Sequence, residues 1–101
     1  MYLPTHSVFE EKRYFRPGYQ PAAFQTDLGN IGLTICYDVF FPEVFRLTRL
    51  KGAQLIICIS ASPAVRKGYF EILTSARALE NTAFLAYVNL AGVEDGLQFW
   101  G

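Results

Sequence analysis

Three apolar runs of strand length, at residues 31–36, 55–59 and 85–90, alternate with two stretches whose apolar positions recur every three or four residues. An uninterrupted apolar run, unlike an alternating one, needs cover on both of its faces. The order strand, helix, strand, helix, strand predicts an α/β fold with a parallel sheet and right-handed crossovers. Two helices cannot cover both faces of such a sheet, so the unit reads as incomplete. The composition agrees: 101 residues of which 51% are hydrophobic offer more apolar surface than a domain of this size buries by itself. The excess points to cover by further chain or by a partner.

Local signals place the elements. Residues 22–26 and 31–36 flank Asp27-Leu28-Gly29-Asn30, a turn sequence that predicts a β-hairpin. Pro42 opens a helix over 42–51 and Gly52 closes it, with Val44, Leu47 and Thr48, flanked by Leu50, forming its apolar side. A longer helix over 69–82 carries Tyr69, Ile72, Leu73, Ala76, Leu79 and Ala83 at helical spacing. Within it Arg77 and Glu80 stand three apart, as an ion pair on one helix face requires. Residues 1–21 are irregular, with Pro4, Pro17, Gly18 and Pro21 among Phe9, Tyr14, Phe15 and Tyr19. So many rings are costly to leave in water, and the segment reads as a structured loop.

Charge removes several function classes. Nine basic residues balance nine acidic ones, and no Lys/Arg cluster is present for phosphates, so nucleic acid is not an expected partner. No apolar run approaches the ~20 residues of a membrane span, and the first residues lack the pattern of a signal peptide. Cys36 and Cys58 each lie in or at the end of an apolar run, where reduced thiols sit, which reads as a cytoplasmic protein.

In open α/β sheets ligands bind beyond the carboxyl ends of the strands. Cys36 ends the first of the three runs and precedes the turn into the Pro42 helix. A nucleophile on such a turn is rigid and exposed, and the backbone N–H that follows it, here Tyr37, faces a developing oxyanion. Ser60-Ala61-Ser62-Pro63 follows the second run, and Asn89 to Gly92 the third. A thiol needs a base or a positive neighbour to react well at neutral pH. The candidates are His6, near the start of the chain, and Glu10 and Glu11 in the aromatic loop, where loss of water raises a carboxyl pKa towards a useful range. On spacing alone the structural readings stay open. A strand-end cysteine is more often structural than reactive, paired acids are more often surface charges, and serines after a strand are more often turn or cap residues.

The run Gly32-Leu33-Thr34-Ile35-Cys36-Tyr37-Asp38, followed by Phe41-Pro42-Glu43, resembles the nucleophile segment of the nitrilase superfamily of carbon–nitrogen hydrolases. Glu11-Lys12-Arg13-Tyr14-Phe15-Arg16-Pro17-Gly18 resembles the loop that precedes it there. Gly52-Ala53, Arg77-Ala78-Leu79-Glu80-Asn81, and Asn89 with Gly92 follow in the same order. The resemblance covers nearly the whole chain. It implies a four-layer α-β-β-α sandwich, of which residues 1–101 are a partial domain, incomplete at both ends, with no metal and no organic cofactor. It also implies that neighbouring subunits pack through helices, so that the complete protein is a homo-oligomer. The family uses a cysteine nucleophile, a glutamate base, a lysine on the tetrahedral intermediate, and a second glutamate. By resemblance Cys36 is the nucleophile, Glu11 is the second glutamate, Tyr37 lends its N–H to the oxyanion hole, and Ser60, Ala61 and Ser62 line the pocket. Residues 1–101 hold no match for the first glutamate, and the lysine falls immediately before Met1. Cys58, among isoleucines, reads as a buried small apolar residue.

The activity this implies is hydrolysis of a non-peptide carbon–nitrogen bond in a small amide, N-carbamoyl or nitrile substrate through a cysteine thioester, in the complete enzyme and not in this segment alone. Two alternatives keep the same fold: an acyltransferase, or the glutaminase module of an amidotransferase. A third is a non-catalytic remnant that acts only in packing or oligomerisation.

Overall fold

In a computed structural model the chain is described for residues 13–18 and 20–101. The expectations placed on His6, Glu10 and Glu11 lie outside these residues.

Strands β1 (Ala22–Thr26) and β2 (Gly29–Ile35) form the expected hairpin, antiparallel and closed by Asp27 and Leu28. The Thr26 hydroxyl donates to the Gly29 carbonyl at 2.7 Å and accepts the Leu28 N–H at 3.2 Å. Gly29 takes φ +114°, a region that favours glycine. The turn is tighter than the sequence indicates because Gly29 and Asn30 both join the ladder. Then follow α1 (Pro42–Leu50), β3 (Leu55–Ser60), α2 (Lys67–Asn81) and β4 (Phe84–Asn89). The sheet order is β1-β2-β3-β4, with β2, β3 and β4 mutually parallel, as the alternation predicts. A second hairpin, β5 (Ala91–Glu94) and β6 (Leu97–Trp100), was not expected. Its signal is Asp95-Gly96, a pair suited to a turn with two positive φ angles, here +48° and +76°.

Both helices cover one face of the large sheet. Successive strand residues alternate between faces, and the buried core of Ile56, Cys58, Val39, Phe45, Ala53 and Phe70 lies on the helix side. Gly32 lets α1 approach β2. A Cβ there would stand 2.2 Å from Thr48 Cγ2 and 3.1 Å from Ala53 Cβ, and Thr48 is pinned by its hydroxyl donating to the Val44 carbonyl at 2.7 Å. The opposite face presents Phe24, Leu33, Ile35, Ile59, Phe84 and Val88, with Phe84 79% and Val88 55% exposed. Among the described residues nothing covers this face, in keeping with the expectation that two helices supply only half of the cover.

The helices differ from expectation in which side they bury. In α1 the anchor is Phe45, fully buried beside Thr48, whereas Leu47 and Leu50 point outward. In α2 the buried side runs through Phe70, Arg77 and Asn81, and Tyr69, Ile72 and Leu79 face out. Most of the polar groups buried here find partners, the Asn81 Oδ1 atom being an exception. Arg77 Nε donates to the Val39 carbonyl at 3.0 Å, and its Nη1 makes the expected ion pair with Glu80, also at 3.0 Å. Asn81 Nδ2 donates to the Arg77 carbonyl at 2.8 Å, while the Asn81 carbonyl accepts from Arg49 Nε at 3.1 Å.

Gly32→Ala forces a methyl group into this contact and is expected to destabilise the native protein by about 1–3 kcal/mol in urea unfolding. Gly68→Ala, with no neighbour within 4 Å of the new atom, is the control. It is expected to be neutral or slightly stabilising, because alanine favours the helix.

Candidate active site

The parallel register brings the candidate residues to one end of the sheet. Ile35, the last residue of β2, lies beside Ile59, and Ser60 beside Asn89, so Cys36, directly after β2, adjoins Ser60 and Asn89, which end β3 and β4. Cys36 takes φ +37° and opens a 3-10 helix, Cys36–Phe40. A non-glycine residue in this region stores about 1–3 kcal/mol of strain and persists only where its surroundings fix it. They do so here. Asp38, 3% exposed, accepts the Ile35 N–H at 2.9 Å through Oδ2 and the Phe41 N–H at 3.0 Å through its carbonyl. Val39 is fully buried, and its carbonyl is held by Arg77 from α2. Cys36 itself is half-buried against the core.

A row of aromatic rings runs from the residue after the thiol to the second hairpin. Tyr37 lies 5.5 Å from Phe40, Phe40 5.6 Å from Phe70, Phe70 5.4 Å from Tyr87, and Tyr87 stacks at 5.2 Å on Trp100. The Tyr87 phenol donates to Ser60 Oγ at 2.7 Å. Burial raises its pKa far above the ordinary phenol value, only partly opposed by the Ser60 hydroxyl, so it remains a donor throughout the physiological range. Ser60 is half-buried, Ala61 exposed, and Ser62 1% exposed with its backbone bonded to the Asn89 side chain. Of the six candidate residues, Cys36, Tyr37, Ser60, Ala61 and Ser62 thus lie at the carboxyl end of the sheet, and Glu11 is outside the described residues. Sequence reading passed over Tyr87. Its signal was a hydroxyl inside an otherwise apolar strand, two residues before Asn89.

Cys36 and Cys58 are not in disulfides, and Cys58 is fully buried in the core. Burial pushes its pKa up from 9.0 to about 11, against the hydrogen bond from Thr34 and with added repulsion from charge on Cys36 and Asp38. No group of three or more His, Cys, Asp or Glu side chains gathers as a metal site among the described residues, and none of the described helices is long and apolar enough to cross a membrane. An open hollow lined by Ser75, Ala78, Leu79, Thr82, Ala83 and Phe84 lies at the other end of the sheet, where β4 begins.

Residues 2–101 match the family described as carbon-nitrogen hydrolase. The chain belongs to the carbon-nitrogen hydrolase family. It is 44% identical over 103 residues to the glutamine-dependent NAD(+) synthetase of Aquifex aeolicus, covering 99% of this chain and 18% of that protein. It is 40% identical over 86 residues to the deaminated glutathione amidase of a Synechocystis species, covering 82% of this chain and 32% of the relative. A nitrilase-superfamily amidase from Nesterenkonia, solved as a mutant in complex with butyramide, superposes with a TM-score of 0.82 at 38% identity, over 98% of this chain and 36% of that one. Another structure of that amidase carries the acetamide moiety of fluoroacetamide on its active-site cysteine, at a TM-score of 0.83 and 41% identity over 91% of this chain and 35% of that one. The chain therefore has the nitrilase-like α/β fold and spans only a fraction of the length of these relatives.

Two measurements test the contrast between the thiols of this carbon–nitrogen hydrolase chain. Iodoacetamide at pH 8 is expected to alkylate Cys36 and leave Cys58 unmodified in native protein, read by peptide mass. A raised thiol pKa means that the folded state holds the proton more tightly than the unfolded one. The corresponding stability is complete below pH 9 and is lost as pH rises towards about 11. Stability of the wild type is expected to fall more steeply over that window than that of Cys58→Ala.

Proposed function

We propose that this chain carries the nucleophile segment of an amide hydrolase and that residues 1–101 are one part of its catalytic domain. The observation that carries the reading is the placement of Cys36, held at positive φ at the end of a central parallel strand by the buried Asp38. Its chemistry follows from that position. Cys36 Sγ attacks the amide carbonyl carbon and its proton passes to a glutamate base, for which residues 1–101 offer no match. The Tyr37 N–H stabilises the oxyanion of the tetrahedral adduct. Collapse of the adduct breaks the carbon–nitrogen bond. The nitrogen leaves as ammonia or an amine with the proton returned to it, and a thioester remains on Cys36. Water then attacks the thioester, releasing the carboxylic acid and the thiol. Ser60, Ala61 and Ser62 line the pocket, and Glu11 orients the reacting groups. No metal or organic cofactor takes part.

Amides are preferred over N-carbamoyl and nitrile substrates because the Nesterenkonia amidase binds butyramide and the NAD(+) synthetase is glutamine-dependent. The 44% identity to that synthetase supports a second reading, a glutaminase module that passes ammonia to another acceptor. The open apolar face of the sheet supports a second sheet packed on it, which completes four layers. The outward stripe Tyr69, Ile72 and Leu79 on α2 supports a homo-oligomer. We place the protein in the cytoplasm, as an enzyme with reduced cysteines.

In the native full-length protein Cys36→Ala is expected to lower turnover of small primary amides by at least about 10³-fold, since the nucleophile acts in every step. Wild-type protein quenched in acid during turnover should carry the mass of the acyl group on Cys36. Turnover by Cys36→Ala would refute the assignment. Comparing kcat/KM for glutamine and butyramide separates the two readings, with a preference for glutamine by tenfold or more marking the glutaminase.

A further inference from the structure

β3 and β4 keep register as far as Ser60 opposite Asn89, where the Leu90 N–H donates to the Ser60 carbonyl at 2.9 Å. Beyond that rung β3 turns away through Ala61 and Ser62 to Pro63, which bridges to Phe99 of β6. Ser62 is 1% exposed, so its backbone N–H and carbonyl need partners inside the protein. The Asn89 side chain supplies both. Its Oδ1 accepts the Ser62 N–H at 2.7 Å, and its Nδ2 donates to the Ser62 carbonyl at 3.0 Å. A carboxamide presents the same donor and acceptor as a peptide unit, so Asn89 stands in for one further rung of the ladder. Two residues earlier, on the same face of β4, the Tyr87 phenol ties down Ser60.

One tie ends on the last residue of β3, the strand next to β2 and Cys36, and the other on the segment that follows it. We infer that Asn89 is a positioning residue: its carboxamide fixes Ser62 and, with the Tyr87 tie on Ser60, holds Ser60, Ala61 and Ser62 as the wall that seats the substrate against Cys36. This role rests on the amide-hydrolase reading. It requires both halves of the carboxamide, because loss of either leaves a buried backbone group unpaired and lets the segment swing. Such a wall holds ground state and transition state alike, so its loss raises KM and spares kcat.

The test is Asn89→Asp in the native full-length protein. The new side chain has the same shape and still accepts from Ser62, but it places an oxygen against the Ser62 carbonyl. KM for a small primary amide such as butyramide is expected to rise about 10- to 100-fold, the scale of a misplaced positioning group, with kcat within about threefold of wild type. The rate at which iodoacetamide alkylates Cys36 should not change. An unchanged KM overturns the proposal. So does slower alkylation in step with kcat/KM, because that marks a structural collapse reaching Cys36. Should Asn89→Asp fail to fold, Asn89→Gln, which carries the same amide one methylene further out, is read by the same criteria. Wild-type protein without amide turnover refutes the hydrolase reading and the positioning role together. An active wild type with an unaffected variant refutes the positioning role alone.

Discussion

The parallel register of β2, β3 and β4 is the constraint on which the catalytic end depends. Shifting one strand by a residue would turn Gly32 away from α1 and move Ser60 out of line with Asn89. The register is secured by packing at the helix side, where Gly32 admits Thr48 and Ala53, and by the burial of Ile56 and Cys58 beneath both helices. Once it is set, the ends of the three strands lie side by side and their residues face one another across about a strand spacing. The strained turn at Cys36 is then one local departure from a regular frame, and its cost is met by Asp38 and by the Arg77 bond to Val39.

Arg77 shows how the frame and the site share parts. A buried guanidinium is costly unless its donors are used, and here one goes to the backbone of the nucleophile turn and another to Glu80. Helix α2 is thereby fixed to the turn through a directional bond as well as through the contact of Phe40 with Phe70. Apolar packing alone tolerates sliding, whereas a bond from a buried arginine to one carbonyl does not.

The strand and helix sequence, the parallel sheet, the first hairpin and the Arg77–Glu80 pair were legible because each rests on local patterning: apolar runs, helical spacing, Pro42 and Gly52, and the turn at Asp27. The buried sides of the helices were not legible, since helical spacing alone favours Leu47 and Leu79, while tertiary partners decided for Phe45, Arg77 and Asn81. The second hairpin was legible in Asp95-Gly96 but lay beyond the last apolar run, where the periodic signal ends. At the site, strand ends pointed to Cys36, the serines and the Asn89 segment. That Asn89 bonds the backbone of Ser62 is a contact between residues 27 apart in the chain, and no local pattern encodes it.

The aromatic row has an optical consequence. Trp100 is the one tryptophan of these 101 residues. Its ring stacks on Tyr87 and has the Lys67 ammonium 5.8 Å from its centre. Tyr87 in turn touches the hydroxyl of Ser60. Emission from Trp100 therefore arises next to the proposed binding wall and depends on a nearby cation, so that the chain carries its own fluorophore for following, without a label, what happens at the end of its central strands.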